Sequence, residues 1–271
     1  MQDRNLTSRK DDHIRINHEE NVASGLRTGL EEIHLRHESL PELDLNEIEL
    51  STIFLGKIIK APILISSMTG GTDKGDEINK RLAIIAETYG IPMGVGSQRI
   101  NLQSGRIDSK FNIRDYAPSI PIYANLGAVQ LNYGLEIDHC QKVIDLINAD
   151  ALILHLNPLQ EALQPEGQTN FSGLLKKIEL VCKKVKVPVI VKEVGWGIST
   201  QTAQRLVNVG VASIDIAGAG GTSWALVEKY RNSESWRIEM CENFKDWGIP
   251  TAKNVSQLKK NLPGIPIIAS G

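Results

Sequence analysis

The chain has 271 residues, 41% hydrophobic and 23% charged, enough to bury one large core without a second domain. A net charge of -2 removes any global electrostatic reason to bind nucleic acid or a membrane surface, so a bound anion must be held by local positive groups. Cys140, Cys182 and Cys241 are scattered with no C-x-x-C pair, which argues against a disulfide framework or thiolate metal site and suits a reducing cytoplasm. The polar N-terminus lacks a signal-peptide core, and no apolar run reaches membrane-spanning length.

Residues 1–60 are polar and loosely patterned, with Arg9, Lys10 and His13 near the start. Such an arm is most simply a solvated tail, yet Arg9 and Lys10 are a pair able to close over a polyanion. Residues 47–57 alternate as a small hairpin placed to plug one end of a larger sheet.

From Ala61 a different rhythm begins. Residues 61–66 read as a buried strand, followed by Ser67, Met68, Thr69 and two glycines. Ile78, Leu82, Ile85 and Tyr89 then recur at helical spacing before the stop at Gly90. Strands follow at 93–95, ending in Gly96-Ser97-Gln98-Arg99, and at 122–124, ending in Asn125-Leu126-Gly127. Residues 135–147 form a helix leading into the apolar run 151–156. Strand alternation places Ala151, Ile153, His155 and Asn157 on one face of that run, with Leu152, Leu154 and Leu156 on the other. Pro158 stops the strand, and Gln160 and Glu161 follow at once. Helices at 171–185, 199–209 and 255–262 alternate with strands at 189–193, 213–216 and 265–269.

Strand, loop and helix repeated in this way mean parallel strands joined by crossovers. Polar or glycine-rich residues gather at the strands' carboxyl ends, which predicts a TIM-type barrel with its site at that face. A doubly wound sheet is the alternative, but Met68-Thr69-Gly70-Gly71 fits its phosphate fingerprint poorly. Seven strands are counted before Gly271, so the reading is a single-domain α/β barrel lacking its last strand and C-terminal part. The arm and hairpin occupy 1–60 and the barrel 61–271.

The strand ends carry the candidate chemistry. Lys192 closes an apolar strand, where a buried ammonium needs an anion, an electron-rich ring or a salt bridge within the fold. His155 is either a satisfied core histidine or a site residue. Glu161 reads as general acid, metal ligand or surface charge, and one carboxylate with waters and ligand phosphates suffices for Mg²⁺. Gly220-Gly221 is a turn, or a loop whose N–H groups face a phosphate or a ring. Zinc-ligand spacing and nucleophile signatures are absent.

Taken in order, Arg9-Lys10 with His13, Met68-Thr69-Gly70-Gly71, Gly96-Ser97-Gln98-Arg99, Asn125-Leu126-Gly127, His155-Leu156-Asn157 with Gln160-Glu161, Val191-Lys192-Glu193-Val194-Gly195 and Gly220-Gly221-Thr222 resemble the type 2 isopentenyl-diphosphate isomerase family. The likeness runs from about residue 9 to the end of the chain. It implies an FMN-dependent barrel, active with reduced FMN and Mg²⁺ and with NADPH as reductant, that interconverts isopentenyl and dimethylallyl diphosphate.

The same resemblance implies roles. Arg9, Lys10, His13, Ser97, Gln98, Arg99, His155, Asn157 and Gln160 would contact substrate. Ser67, Met68, Thr69, Ser97, Asn125, Lys192 and Thr222 would contact the flavin. Glu161 would hold the metal, and Gln160, His155 and Lys192 would serve catalysis. It further implies a cytoplasmic homo-oligomer, a tetramer or octamer. The family's glycine-rich loops for the FMN phosphate would lie beyond Gly271. Two alternatives stand beside this: an FMN-dependent oxidoreductase of the 2-hydroxy-acid oxidase kind, and a non-catalytic barrel scaffold.

Overall fold

A computed structural model describes residues 2–103 and 112–271. The charged arm is not a solvated tail. It forms helix α1 (Gln2–Glu19), whose Ile16 is fully buried against Val22, Leu226 and Val227. Arg15 pairs along the helix with Asp12 and Glu19, the (i, i+3) and (i, i+4) spacing that supports a charged helical face.

The hairpin forms later than the alternation predicts. Strands β1 (Thr52–Phe54) and β2 (Lys57–Ile59) pair antiparallel about Leu55 and Gly56, both at positive φ (49° and 79°). Two left-handed residues give the turn whose twist matches a hairpin, and that pair fixes the register. Phe54 and Leu55 pack against Tyr123, Ala151, Ile153, Ile190 and Ile268, so the hairpin does cover the amino ends of the sheet's strands.

Residues 61–66 do not make the predicted strand. Pro62 has no N–H to donate, and the segment joins the sheet only through a parallel bridge between Ile65 and Met93. Helix α2 (Asp73–Tyr89) starts at Thr72, whose side chain accepts from Gly75 N–H, and ends at Gly90 with φ 65°.

Beyond it the chain alternates as predicted, through β3 (Met93–Gly94), α3 (Arg99–Gln103), β4 (Ile122–Gly127), α4 (Ile137–Leu146) and β5 (Ala151–His155). Then come α5 (Pro158–Leu163), α6 (Leu174–Lys184), β6 (Val189–Lys192), α7 (Thr200–Asn208) and β7 (Ser213–Asp215). Helices α8 (Trp224–Arg231), α9 (Ser235–Asn243) and α10 (Thr251–Asn261) precede β8 (Ile267–Ile268). Sequence periodicity misses α1, α3, α5, α8 and α9; of these, α3, α5 and α8 are short and begin in the loops at strand ends.

Strands β3 to β8 form one parallel sheet of six in sequential order. Leu152 and Leu154 face the helices in the main core, while Ala151 and Ile153 face inward with Tyr123 and Ile190. The predicted alternation therefore holds. Among the described residues no helix is long and apolar enough to cross a membrane.

Candidate active site

Register carries the inward face to its carboxyl end. His155 stands opposite Gly127 on β4 and Lys192 on β6, and Lys192 stands opposite Asp215 on β7. His155 Nδ1 lies 2.9 Å from Asn125 Oδ1. An amide oxygen can only accept, so Nδ1 carries the proton and Nε2 is left as the basic nitrogen. Burial, then the charges of Lys192, Arg9 and Lys10, lower the imidazole to a pKa of about 3. A Cβ on Gly127 would lie 1.9 Å from Gln130 Oε1 and 3.0 Å from His155 Nε2, so glycine there leaves the ring its space. Lys192 Nζ is 3.7 Å from Asp215, the internal salt bridge foreseen for a buried ammonium, and it also lines the cavity above the sheet.

A cationic wall comes from α1 and the loop after β3. Lys10 Nζ donates to the carbonyls of Gly70 (2.5 Å) and Ser97 (3.0 Å), tying α1 to two strand-end loops. Burial, then Arg9, lower Lys10 to about 8 against the opposing pull of Asp76. Burial and Arg9 also lower Arg99. Arg9 donates to Gln164 at 3.4 Å, and its Nε is buried without a hydrogen-bond partner. Three cations converge here, and the charge of Arg9 disfavours the other two, so an anion would relieve the site.

Helix α5 supplies the third wall. Pro158 at its first turn needs no hydrogen-bond donor there, so the proline that stops β5 also starts the helix. Glu161 Oε1 accepts from Asn157 Nδ2 (2.9 Å), and Oε2 accepts from Gln164 Nε2 (2.5 Å) and Gln168 N–H (2.6 Å). Asn157 Oδ1, beside it, is buried with no hydrogen-bond partner. Among the described residues no three His, Cys, Asp or Glu gather as a metal site. Glu161 with the unpaired Asn157 oxygen fits only an ion that keeps most of its waters.

Gln160 Nε2 donates to Glu228 Oε1 (3.0 Å), which also lies 3.3 Å from His13 Nε2. Arg231 donates to the other Glu228 oxygen at 2.6 Å. Burial alone would raise Glu228; its contacts with His13 and the Arg231 charge outweigh that and hold it at about 2. Burial lowers His13 itself, so the lasting countercharge is Arg231.

One cavity is lined by Arg9, Lys10, His13, Ser67, Met68, Ser97, Arg99, Asn125, His155, Asn157, Gln160, Glu161 and Lys192. Three predicted contacts fall outside it. Gln98 is fully buried with its amide spent inside the fold, accepting from Asn125 N–H and donating to Val143 O, so it clamps β4 to α4 and faces no ligand. Thr69 lines a second, adjoining cavity, and its carbonyl accepts from Gly96 N–H and Asn79. Thr222 is exposed and bridges Ala23, because its loop turns toward the N-terminal segment. A Cβ on Gly220 would lie 2.3 Å from Thr28 N, so that close approach needs glycine.

The cavity also contains Val194 from the quoted motif, and Gln130, Gln164 and Trp224, which sequence reasoning did not single out. Gln164 had a signal, since it falls one helical turn after Gln160. Glu228 had none. In sequence it is an ordinary acidic residue on a short helix.

A parallel α/β sheet with its polar cavity at the strands' carboxyl ends, walled by three cations, defines an enzyme of anionic substrates. A relative from Nostoc sp., named isopentenyl-diphosphate delta-isomerase, is 52% identical over 265 residues, 97% of this chain and 76% of the relative. Relatives of the same name from Rickettsia rickettsii and Rickettsia typhi are 50% identical over 272 residues and 51% over 263, covering 80% and 77% of their own lengths. The chain belongs to the isopentenyl-diphosphate delta-isomerase family, and its reaction is the isomerisation of isopentenyl diphosphate. No family profile matches the chain. Its fold resembles solved structures of mandelate oxidase, one with (S)-mandelic acid (TM-score 0.54, 13% identity, 99% of this chain and 84% of that one) and one with a monooxide FMN adduct (0.52, 15%, 96% and 84%). At that identity the likeness concerns the fold alone. Membership in the isomerase family sets aside the oxidase and scaffold alternatives.

Proposed function

We propose that this cavity is the isomerase site and that it works with reduced FMN and Mg²⁺. The observation that carries the reading is the convergence of Arg9, Lys10 and Arg99 on a cavity whose floor is Asn125, His155 and Lys192. A diphosphate needs several cations at once, and arginine offers it a bidentate fork.

The residues present fit a flavin. Ser67 Oγ is a buried hydroxyl without a hydrogen-bond partner, and Lys192 is a buried cation on the same cavity. Ser67, Met68, Ser97, Asn125 and Lys192 would hold the ring. The fold neighbour solved with an FMN adduct supports the same choice. Mg²⁺ would be held by Glu161, with Asn157 Oδ1 turned toward its waters. When bound, the reduced flavin supplies acid–base chemistry at an alkene whose allylic proton is too weakly acidic for an ordinary side-chain base.

The chain's own residues do the rest. Arg9, Lys10 and Arg99 anchor the diphosphate. His155, kept neutral, offers Nε2 to the substrate side without adding a fourth charge to the wall. Gln160, held by Glu228, presents a fixed amide beside the reacting carbons. Helix α1, tied down through Lys10, forms one wall of the cavity.

We further read residues 1–271 as a single domain of TIM-type (β/α)8 barrel architecture, working as a cytoplasmic homo-oligomer, a tetramer or octamer, with NADPH as reductant. The test is a titration with FMN followed by absorbance and fluorescence, then addition of substrate to the reduced protein. Visible flavin bands that shift on adding isopentenyl diphosphate support the reading. A protein that takes up no flavin while isomerising its substrate overturns it.

A further inference from the structure

A second cavity of about 230 Å³ adjoins the substrate cavity, between α1 and residues 68–69. Ile14, Asn17 and Thr69 line only this second space, whereas Lys10, His13, Met68 and Trp224 line both. Those four side chains are therefore the partition between the two spaces.

They are not equivalent as a wall. Lys10 is fastened to the carbonyls of Gly70 and Ser97, and His13 lies against Glu228. Met68 is an unbranched side chain, 62% exposed, and yields to whatever presses on it. Trp224 is the rigid member. Its ring stands edge-on to His13 at 5.0 Å and 74°. Trp224 also packs into two clusters, one with Ile16 and Leu226 and one with Leu163 and Val194. A Cβ on Gly195 would sit 3.4 Å from its ring, so the loop after β6 backs it closely.

The substrate cavity is polar on nearly every side except at Met68, Val194 and Trp224. With the diphosphate on Arg9, Lys10 and Arg99, the hydrocarbon of the substrate must run toward that apolar edge. We infer that Trp224 determines chain length: its indole stops the hydrocarbon at five carbons by closing off the second cavity. This rests on the placement of the diphosphate proposed above. Removing the indole joins the two cavities and opens a path past Ile14 for a longer chain.

The test is calorimetric titration of the FMN- and Mg²⁺-saturated protein with n-alkyl diphosphates of four to eight carbons. Wild type should tighten up to five carbons and weaken at least tenfold beyond. Trp224→Ala should continue to tighten roughly fourfold per added methylene as each is buried. Trp224→Phe, which keeps a ring in the partition, should retain a stop. Should Trp224→Ala fail to fold, Trp224→Leu, which removes the rigid ring but keeps apolar bulk, must also admit longer chains. Binding with one chain-length profile shared by wild type and variants overturns the inference alone. Failure of every alkyl diphosphate to bind wild type overturns the diphosphate placement, and the inference with it.

Discussion

His155 Nδ1 lies 2.9 Å from Asn125 Oδ1 on the neighbouring strand, and this one contact fixes the tautomer of the ring. Burial and three nearby cations disfavour a charged imidazole and bring its pKa to about 3. In the unliganded protein the ring is neutral at neutral pH. Nuclear magnetic resonance of the His155 ring should show no titration between pH 5 and 8, and a midpoint near 6.5 contradicts the assignment. Asn125→Asp places an anion at the same position and should raise the midpoint by roughly 1–3 pH units.

Glu228 should matter for stability as well as for Gln160. Its carboxyl is held at about 2 against an ordinary 4.5, a lowered folded-state pKa. Its stabilising contribution is therefore complete above about pH 4.5 and disappears as the pH falls toward 2. Glu228→Gln should cost roughly 1–3 kcal/mol at pH 7, since Arg231 loses its buried counterion but keeps Glu166 at 2.7 Å. Urea unfolding of both proteins at pH 7 and pH 3 checks this: the difference between them should shrink at the lower pH.

Gln98 offers the reverse case. Its amide bridges Asn125 N–H and Val143 O from a fully buried position. Gln98→Ala should lower stability by roughly 1–3 kcal/mol through unpaired buried groups, with KM for isopentenyl diphosphate unchanged. A large rise in KM with normal stability would return Gln98 to the substrate.

Much of this was legible in the sequence, and the exceptions have physical causes. The period-two pattern of 151–156 placed Ile153 and His155 on one face, because a strand's side chains alternate whatever surrounds it. Residues 61–66 were misread because apolar composition imitates a strand, while Pro62 removes a donor the ladder would need. The inward direction of Gln98 was not legible because a motif names a position and not the direction of its side chain. Trp224 and Glu228 stayed hidden because they act through contacts with α1, more than 200 residues away in the chain, which no local pattern encodes.

Arg9 and Lys10 divide the work of the arm. Lys10 is tied to two carbonyls, whereas Arg9 holds one long bond to Gln164. Arg9→Ala should raise KM roughly 10- to 150-fold, the loss of one charge-assisted contact to phosphate, with FMN affinity unchanged. Steady-state kinetics over a substrate series decide it, and an unmoved KM removes Arg9 from the substrate.

The central claim, that this cavity is where isopentenyl diphosphate is isomerised, is tested most directly by following its conversion to dimethylallyl diphosphate by proton magnetic resonance. The comparison is wild type against Glu161→Gln, each with reduced FMN, across a Mg²⁺ titration. The account predicts Mg²⁺-dependent conversion by wild type and a fall of at least a hundredfold in Glu161→Gln, with flavin still bound. Conversion by the variant at the wild-type rate, with the same Mg²⁺ dependence, would contradict it.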